Sequence, residues 1–408
     1  MYAALECIPD TELAWRWQRC QALLREQHPE CGGMLVFSRP NIYYLSGHWG
    51  NGVFWLPAEG DPVFLARKGA DRAALEAPGL RLGRFGSFRD IPGQLQHFGT
   101  PLSEILAVEK SGLTWTLGEM FASRLPDHRF VDGDQILHQA KAVKSEWELR
   151  KMALAGSRHE AVLLNDLPGI LHPGMSERDI AVALWQAMFE RGHQGMMRMQ
   201  NPGEEIFLGH VAAGDSANYP SVFNGPVGLR GAHPAIPHMG YAGQTWQHGS
   251  PLVIDVGFCL EGYHTDRTQV YWAGPENSVT EQAHKAHVFC IAVQKWLAAR
   301  LCPGAVPSAL FREVWNWARE EGWEEGFMGL GANKVPFLGH GIGLAIDEPP
   351  VIASRFDRPL ETNMVLALEP KIGLDGLGMV GVENSFVVTS EGGRSLTGSR
   401  WDICCVGR

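Results

Sequence analysis

Cysteine is scarce. The 408 residues hold eight, at Cys7, Cys20, Cys31, Cys259, Cys290, Cys302, Cys404 and Cys405, with no Cys-x-x-Cys pair. That excludes a disulfide framework and a thiolate zinc finger, and it implies reduced thiols in a cytoplasmic protein. Basic charge is also in deficit: 35 Lys and Arg stand against 45 Asp and Glu, a formal net charge of −10. A bulk positive field for nucleic acid or anionic lipid is therefore excluded. Long apolar runs are missing, and none approaches the ~20 residues of a membrane span. The first residues carry neither a basic n-region nor an apolar h-region, so no signal peptide is expected. No fixed-period repeat or low-complexity tract occurs. What is present is an ordinary globular composition, 45% hydrophobic and 20% charged, with 48 glycines that imply many tight turns. The length predicts two or three domains at roughly 150 residues each.

The first third alternates short β-like runs (MLVFS, VFWLP, PVFLA) with helical patterns over 12–27 and 113–125, which reads as an α/β domain. The pattern changes near residue 140. A long helix is expected from Ser145 to about Leu167, opened by a hydroxyl cap and first-turn acids, and a second from Ser176 to about Arg191. Residues 195–250 read as loops and short strands. Two strong β segments follow, 251–258 and 262–272, with a tight turn at Leu260-Glu261-Gly262. Helices over 278–301 and 307–322 lead to two more β runs, 363–370 and 379–389. Blocks of strands and helix pairs predict an α+β second domain.

Four acids sit where apolar strands should exclude them: Asp255 in LVIDV, Asp266 before the β-branched run 268–272, Glu369 closing VLALE, and Glu383 in VGVEN. Ionised carboxylates are costly to bury without compensation. Any one of them could mark a strand end or pair with an arginine, but only Arg267 is close by. The period of two places Gly257 on the face of Asp255, and Gly381 and Ser385 on that of Glu383, leaving space beside each carboxylate. His340, among three glycines in Gly339-His340-Gly341-Ile342-Gly343, is poorly explained as core packing. Together Asp255, Asp266, His340, Glu369 and Glu383 form a donor set of four carboxylates and one imidazole. Two divalent ions would balance the four negative charges. Mn²⁺ or Co²⁺ suits such donors first, and Zn²⁺ or Fe²⁺ next. Two metals about 3.5–4 Å apart can share a water, lower its pKa and polarise a carbonyl.

These segments resemble the creatinase/prolidase/aminopeptidase P/methionine aminopeptidase superfamily, the pita-bread metallopeptidases of family M24. The resemblance runs from Lys144-Ser145-Glu146 to about Ser390 and includes PGMSE, IDVG, YHTDRT, GHGIGL, LALEP and VENSFVVT. The 11-residue spacing of the two aspartates fits it. Asn41-Ile42-Tyr43-Tyr44-Leu45-Ser46-Gly47 looks like the creatinase-type N-terminal domain. The implied fold is α+β, a pita-bread catalytic domain over 141–408 behind a smaller α/β creatinase-like domain over 1–140. The resemblance also implies roles. Asp255 would hold one metal, His340 and Glu369 the other, and Asp266 and Glu383 would bridge. Glu369 would carry the proton from the attacking water to the leaving amine. His238, 17 residues before Asp255, would steady charge at the attacked carbonyl, with His233 a close competitor. Thr268 would support the water.

Three departures bear on specificity. The second histidine after the GHGIGL loop is replaced by Asp347, the arginine two residues before the last glutamate by Gly381, and a histidine four residues before His340 by Pro336. The missing arginine removes a bidentate anchor for a substrate carboxylate, and Asp347 would favour a cationic group near the scissile bond. The implied activity is metal-dependent amide hydrolysis of a small peptide or small amide, of the Xaa-Pro aminopeptidase or dipeptidase type. A creatinase-like cleavage of a non-peptide C–N bond is the second reading, and a non-catalytic binding member the third. Neither nucleic acid nor membrane is an expected partner, and the resemblance implies a homodimer.

Overall fold

The computed structural model describes residues 3–200, 205–238 and 240–407, and the chain divides into two compact units, Met1–Lys141 and Ala142–Arg408. All eight cysteines are free thiols. No helix among the described residues is long and apolar enough to cross a membrane.

The first unit is built on a six-stranded mixed sheet in the order Arg81–Arg84, Val63–Lys68, Asn51–Pro57, Gly33–Val36, Ile105–Val108, Arg129–Asp132. The central strands are apolar runs buried along most of their length, as expected when helices cover a sheet. The Asn41 motif is the helix Arg39–Ser46, started by the Ser38 hydroxyl and Pro40 and stopped by Gly47 at φ +75°. Buried Glu109 fixes it: one oxygen accepts from Asn41 Nδ2 at 2.6 Å, the other from the Phe37 and Ser38 N–H groups.

The second unit is organised around a nine-stranded sheet. Its path runs Glu348–Ala353, Phe337–Gly341, Val365–Leu368, Glu383–Thr389, Tyr263–Ala273, Pro251–Leu260, Gly209–Ala213, with Gly392–Ser395 and Cys404–Val406 pairing off that path. Helices Glu146–Ala161 and Glu177–Glu190 start at Ser145 and Ser176, each closing a capping box with the acid three residues on. The first helical stretch runs on past Ala161 as the sequence suggests, but as a π turn from Val162 and then a 3₁₀ turn to Gly169. The hairpin turns at Glu261-Gly262, both at positive φ, so ten residues of Pro251–Leu260 pair in register with Tyr263–Ala273. Helices Glu281–Arg300 and Pro307–Glu320 follow. Of the stretch 195–250, residues 201–204 and Met239 lie outside the described residues.

One expectation fails. The run 379–389 is two strands in two sheets. Gly378–Gly381 pairs with Lys371–Leu374 in a separate ribbon, whereas Glu383–Thr389 joins the main sheet. The chain turns at Gly381, whose φ of +149° is open to glycine and strained for other residues. Gly381 therefore does not share a face with Glu383.

Candidate metal centre

Sheet register brings the five side chains together. Gly257 pairs with Asp266, Asp255 with Thr268, and Thr268 in turn with Glu383. Val365–Leu368 lies between the strands of Glu383 and His340 and delivers Glu369 at its end. Five strand segments thus point one carboxylate or imidazole each at a common space, a cavity of about 280 Å³.

The donors are well placed for a cation. His340 Nε2 lies 3.6 Å from Glu369 Oε1 and 3.8 Å from Glu383 Oε1. Its Nδ1 is 3.0 Å from the Gly341 carbonyl, the contact that puts the proton on Nδ1 and turns the Nε2 lone pair to the carboxylates. Three lone-pair atoms facing one another repel unless a cation lies between them. Glu383 Oε1 is buried without a hydrogen-bond partner among the described residues. Ligand atoms of Asp266, His340 and Glu383 all fall within 4.8 Å of one another. Burial, and then the neighbouring Asp255 charge, push the Asp266 carboxyl well above its usual range. Burial and Asp266 do the same to Glu383. Residues that resist ionisation in a tight oxygen and nitrogen cluster fit a divalent ion that would restore their charge.

The charge balance read from the sequence omits a residue. Lys371, fully buried, reaches Glu383 Oε2 at 2.6 Å, Glu369 Oε2 at 3.1 Å and Asp255 Oδ2 at 3.4 Å. Burial opposes its charge, but the surrounding carboxylates raise its pKa well above the usual lysine value. Asp255 is held below its ordinary value: burial is the largest single influence and opposes this, but the Lys371 ammonium and the hydrogen bonds at its oxygens together outweigh it. Arg267, the cation expected nearby, is used elsewhere: its guanidinium meets Glu160 and the carbonyls of Thr397 and Arg400. The space expected beside Gly257 is also filled, since a Cβ there would lie 1.9 Å from Met197 Cε. Ser385 shares the Glu383 strand, and its hydroxyl binds the Asp266 backbone.

Of the two candidate histidines, His233 is exposed in a short bridge with Ile236. His238 is half-buried and is not among the cavity-lining residues. The histidine that lines the cavity is His210, opposite Asp255 in the sheet. Its Nε2 is buried without a partner among the described residues, and burial lowers its pKa to about 4. Little periodicity over 195–250 hides it in the sequence; the local sign is Gly209-His210 opening a short apolar run. For Lys371 the clue was a cation two residues after Glu369 in a buried segment. Thr268 donates to Asp255 Oδ1 at 2.5 Å. Asp347 lies on the cavity wall, accepting from the Gln200 N–H at 2.6 Å. Pro336 is exposed.

An α+β unit with a carboxylate–histidine cluster in a cavity on its sheet offers the donor set that a metal-dependent hydrolase uses. Residues 150–390 match the model of metallopeptidase family M24, and residues 16–143 match the creatinase/prolidase N-terminal domain. The chain belongs to metallopeptidase family M24, which implies divalent metal ions. It is 24% identical over 382 residues to the Xaa-Pro dipeptidase of Pyrococcus furiosus, covering 93% of this chain and 97% of that protein. Among solved structures it resembles the X-Pro aminopeptidase from Thermotoga maritima (TM-score 0.74, 23% identity, 95% of this chain and 100% of that one). It also resembles the Xaa-Pro dipeptidase from Bacillus anthracis (TM-score 0.77, 20% identity, 97% and 100%).

Proposed function

We propose that this metallopeptidase cleaves the amide bond of a small peptide at an Xaa-Pro-type position. The observation that carries the reading is the convergence of His340 Nε2, Glu369 Oε1 and Glu383 Oε1 at 3.6–3.8 Å, beside Asp266, in a cavity of small-peptide size. A divalent ion bound there would supply a Lewis acid and an activated water. Asp266, His340, Glu369 and Glu383 would hold it. Glu369 lines the cavity, and its Oε2 is steadied by Lys371, so its carboxylate is placed to take a proton from water and return it to the leaving amine. His238 is the imidazole that the resemblance implies for a bound carbonyl, and it lies close to His210. His210, which lines the cavity with its Nε2 unpaired among the described residues, is a second imidazole available to that carbonyl. Asp347 on the wall favours substrates with a cationic or neutral group there. Mn²⁺ and Co²⁺ are the first ions to try, Zn²⁺ and Fe²⁺ the next.

The test is a substrate panel with protein stripped by chelator and reloaded with Mn²⁺ or Co²⁺. Xaa-Pro peptides and their amides should be cleaved only after reloading. Metal-dependent cleavage confined to cyclic or guanidino amides would favour a non-peptide C–N hydrolase. Absence of any metal-dependent cleavage would refute both.

A further inference from the structure

The oxygens of the cluster divide into two sets that face different cations. On one side, Glu383 Oε2, Glu369 Oε2 and Asp255 Oδ2 converge on the Lys371 ammonium at 2.6, 3.1 and 3.4 Å. An ammonium has three N–H donors, and three carboxylates surround this one. The remaining oxygen of Asp255 accepts from Thr268 Oγ1, which also lies 3.1 Å from Glu383 Oε2. On the other side, Glu369 Oε1 and Glu383 Oε1 face His340 Nε2, with the Asp266 carboxylate beside them. Among the described residues, only this second set lacks a positive charge.

We propose that the centre takes one divalent ion, held by Asp266, His340, Glu369 Oε1 and Glu383 Oε1, with the Lys371 ammonium standing beside Asp255 in place of a second ion. The inference rests on the reading of this cluster as a metal centre and departs from the two ions that the resemblance implies. Lys371 cannot readily withdraw. It is fully buried, and its stem runs across Gly381, so that a Cβ at 381 would lie 2.9 Å from Lys371 Cγ. A second dication at Asp255 would be forced against a buried ammonium with no other compensated position. The four carboxylates, one ammonium and one dication leave a single negative charge, which a substrate with a free α-amine would neutralise.

Metal content measured on Mn²⁺-loaded protein after gel filtration tests this, with the electron paramagnetic resonance spectrum of the bound Mn²⁺ as a readout independent of activity. The expected result is about one ion per chain and the six-line signal of an isolated Mn²⁺. Lys371→Met, close in length and uncharged, should raise the stoichiometry toward two and introduce exchange coupling between ions. Lys371→Gly serves as the second variant if Lys371→Met does not fold. Two ions per wild-type chain with a coupled signal would overturn the inference while leaving the metal centre intact. No bound ion would overturn the inference and the metal-centre reading together.

Discussion

Lys371 stands directly across its strand pair from Gly381. The resemblance puts an arginine at 381, on one strand of this ribbon; here the cation comes from the other strand, and glycine occupies the place it vacates. The exchange keeps a positive charge beside Asp255 and Glu383 but uses all of it on the protein's own carboxylates, so it offers no anchor to a substrate carboxylate.

The exchange makes Gly381 intolerant of a side chain. A Cβ there would sit 2.5 Å from the Pro370 carbonyl oxygen and 2.6 Å from Lys371 Cα, at φ +149°. Gly381→Ala should cost about 2 kcal/mol or more in urea unfolding. Gly381→Arg, which would restore the arginine that the resemblance implies, should fare worse. An unchanged urea midpoint for Gly381→Ala would show that the ribbon is not packed as described.

Asp266→Asn separates function from stability. The wild-type carboxyl is buried and disfavours ionisation, so its neutral replacement should leave the metal-free protein at least as stable. The variant should lose the rise in melting temperature that Mn²⁺ gives the wild type. A variant that retains the full metal-induced rise would show that Asp266 is not a ligand.

Much of this was legible in the sequence. Ser145 with Glu148, and Ser176 with Asp179, announced two helix starts, and Glu261-Gly262 announced the hairpin. The acids at 255, 266, 369 and 383 stood out because apolar strands exclude unpaired charge. The omissions share a cause: they depend on which strand lies beside which. Nothing local shows that the chain turns at Gly381, that Lys371 crosses to Asp255, that Met197 fills the space over Gly257, or that His210 pairs with Asp255.

Asp347 should set a charge preference. With a carboxylate on the cavity wall and Lys371 already committed, Xaa-Pro amides should be cleaved roughly tenfold or more faster than free Xaa-Pro dipeptides, in kcat/KM. Asp347→Asn should narrow that ratio by about tenfold, or ~1.4 kcal/mol. Equal or better cleavage of the free dipeptides by the wild type would remove the charge argument.

Stability should fall on acidification. Burial holds His193, His264 and His287 to about 4, whereas the unfolded chain protonates histidine near 6.5. Between those values the unfolded state binds more protons, so stability decreases as pH drops from about 6.5 to about 4. Each histidine contributes on the order of 3 kcal/mol at most over that window. Urea midpoints followed across it should decline, and His287→Asn should flatten the decline. A variant with the wild-type slope would remove His287 from this account.

The most direct measurement of the central claim is anomalous diffraction from crystals soaked in Mn²⁺. A peak is expected within coordination distance of His340 Nε2 and Glu383 Oε1, beside Asp266 and Glu369. A map with no peak there, or with Mn²⁺ bound only at another site, would contradict it.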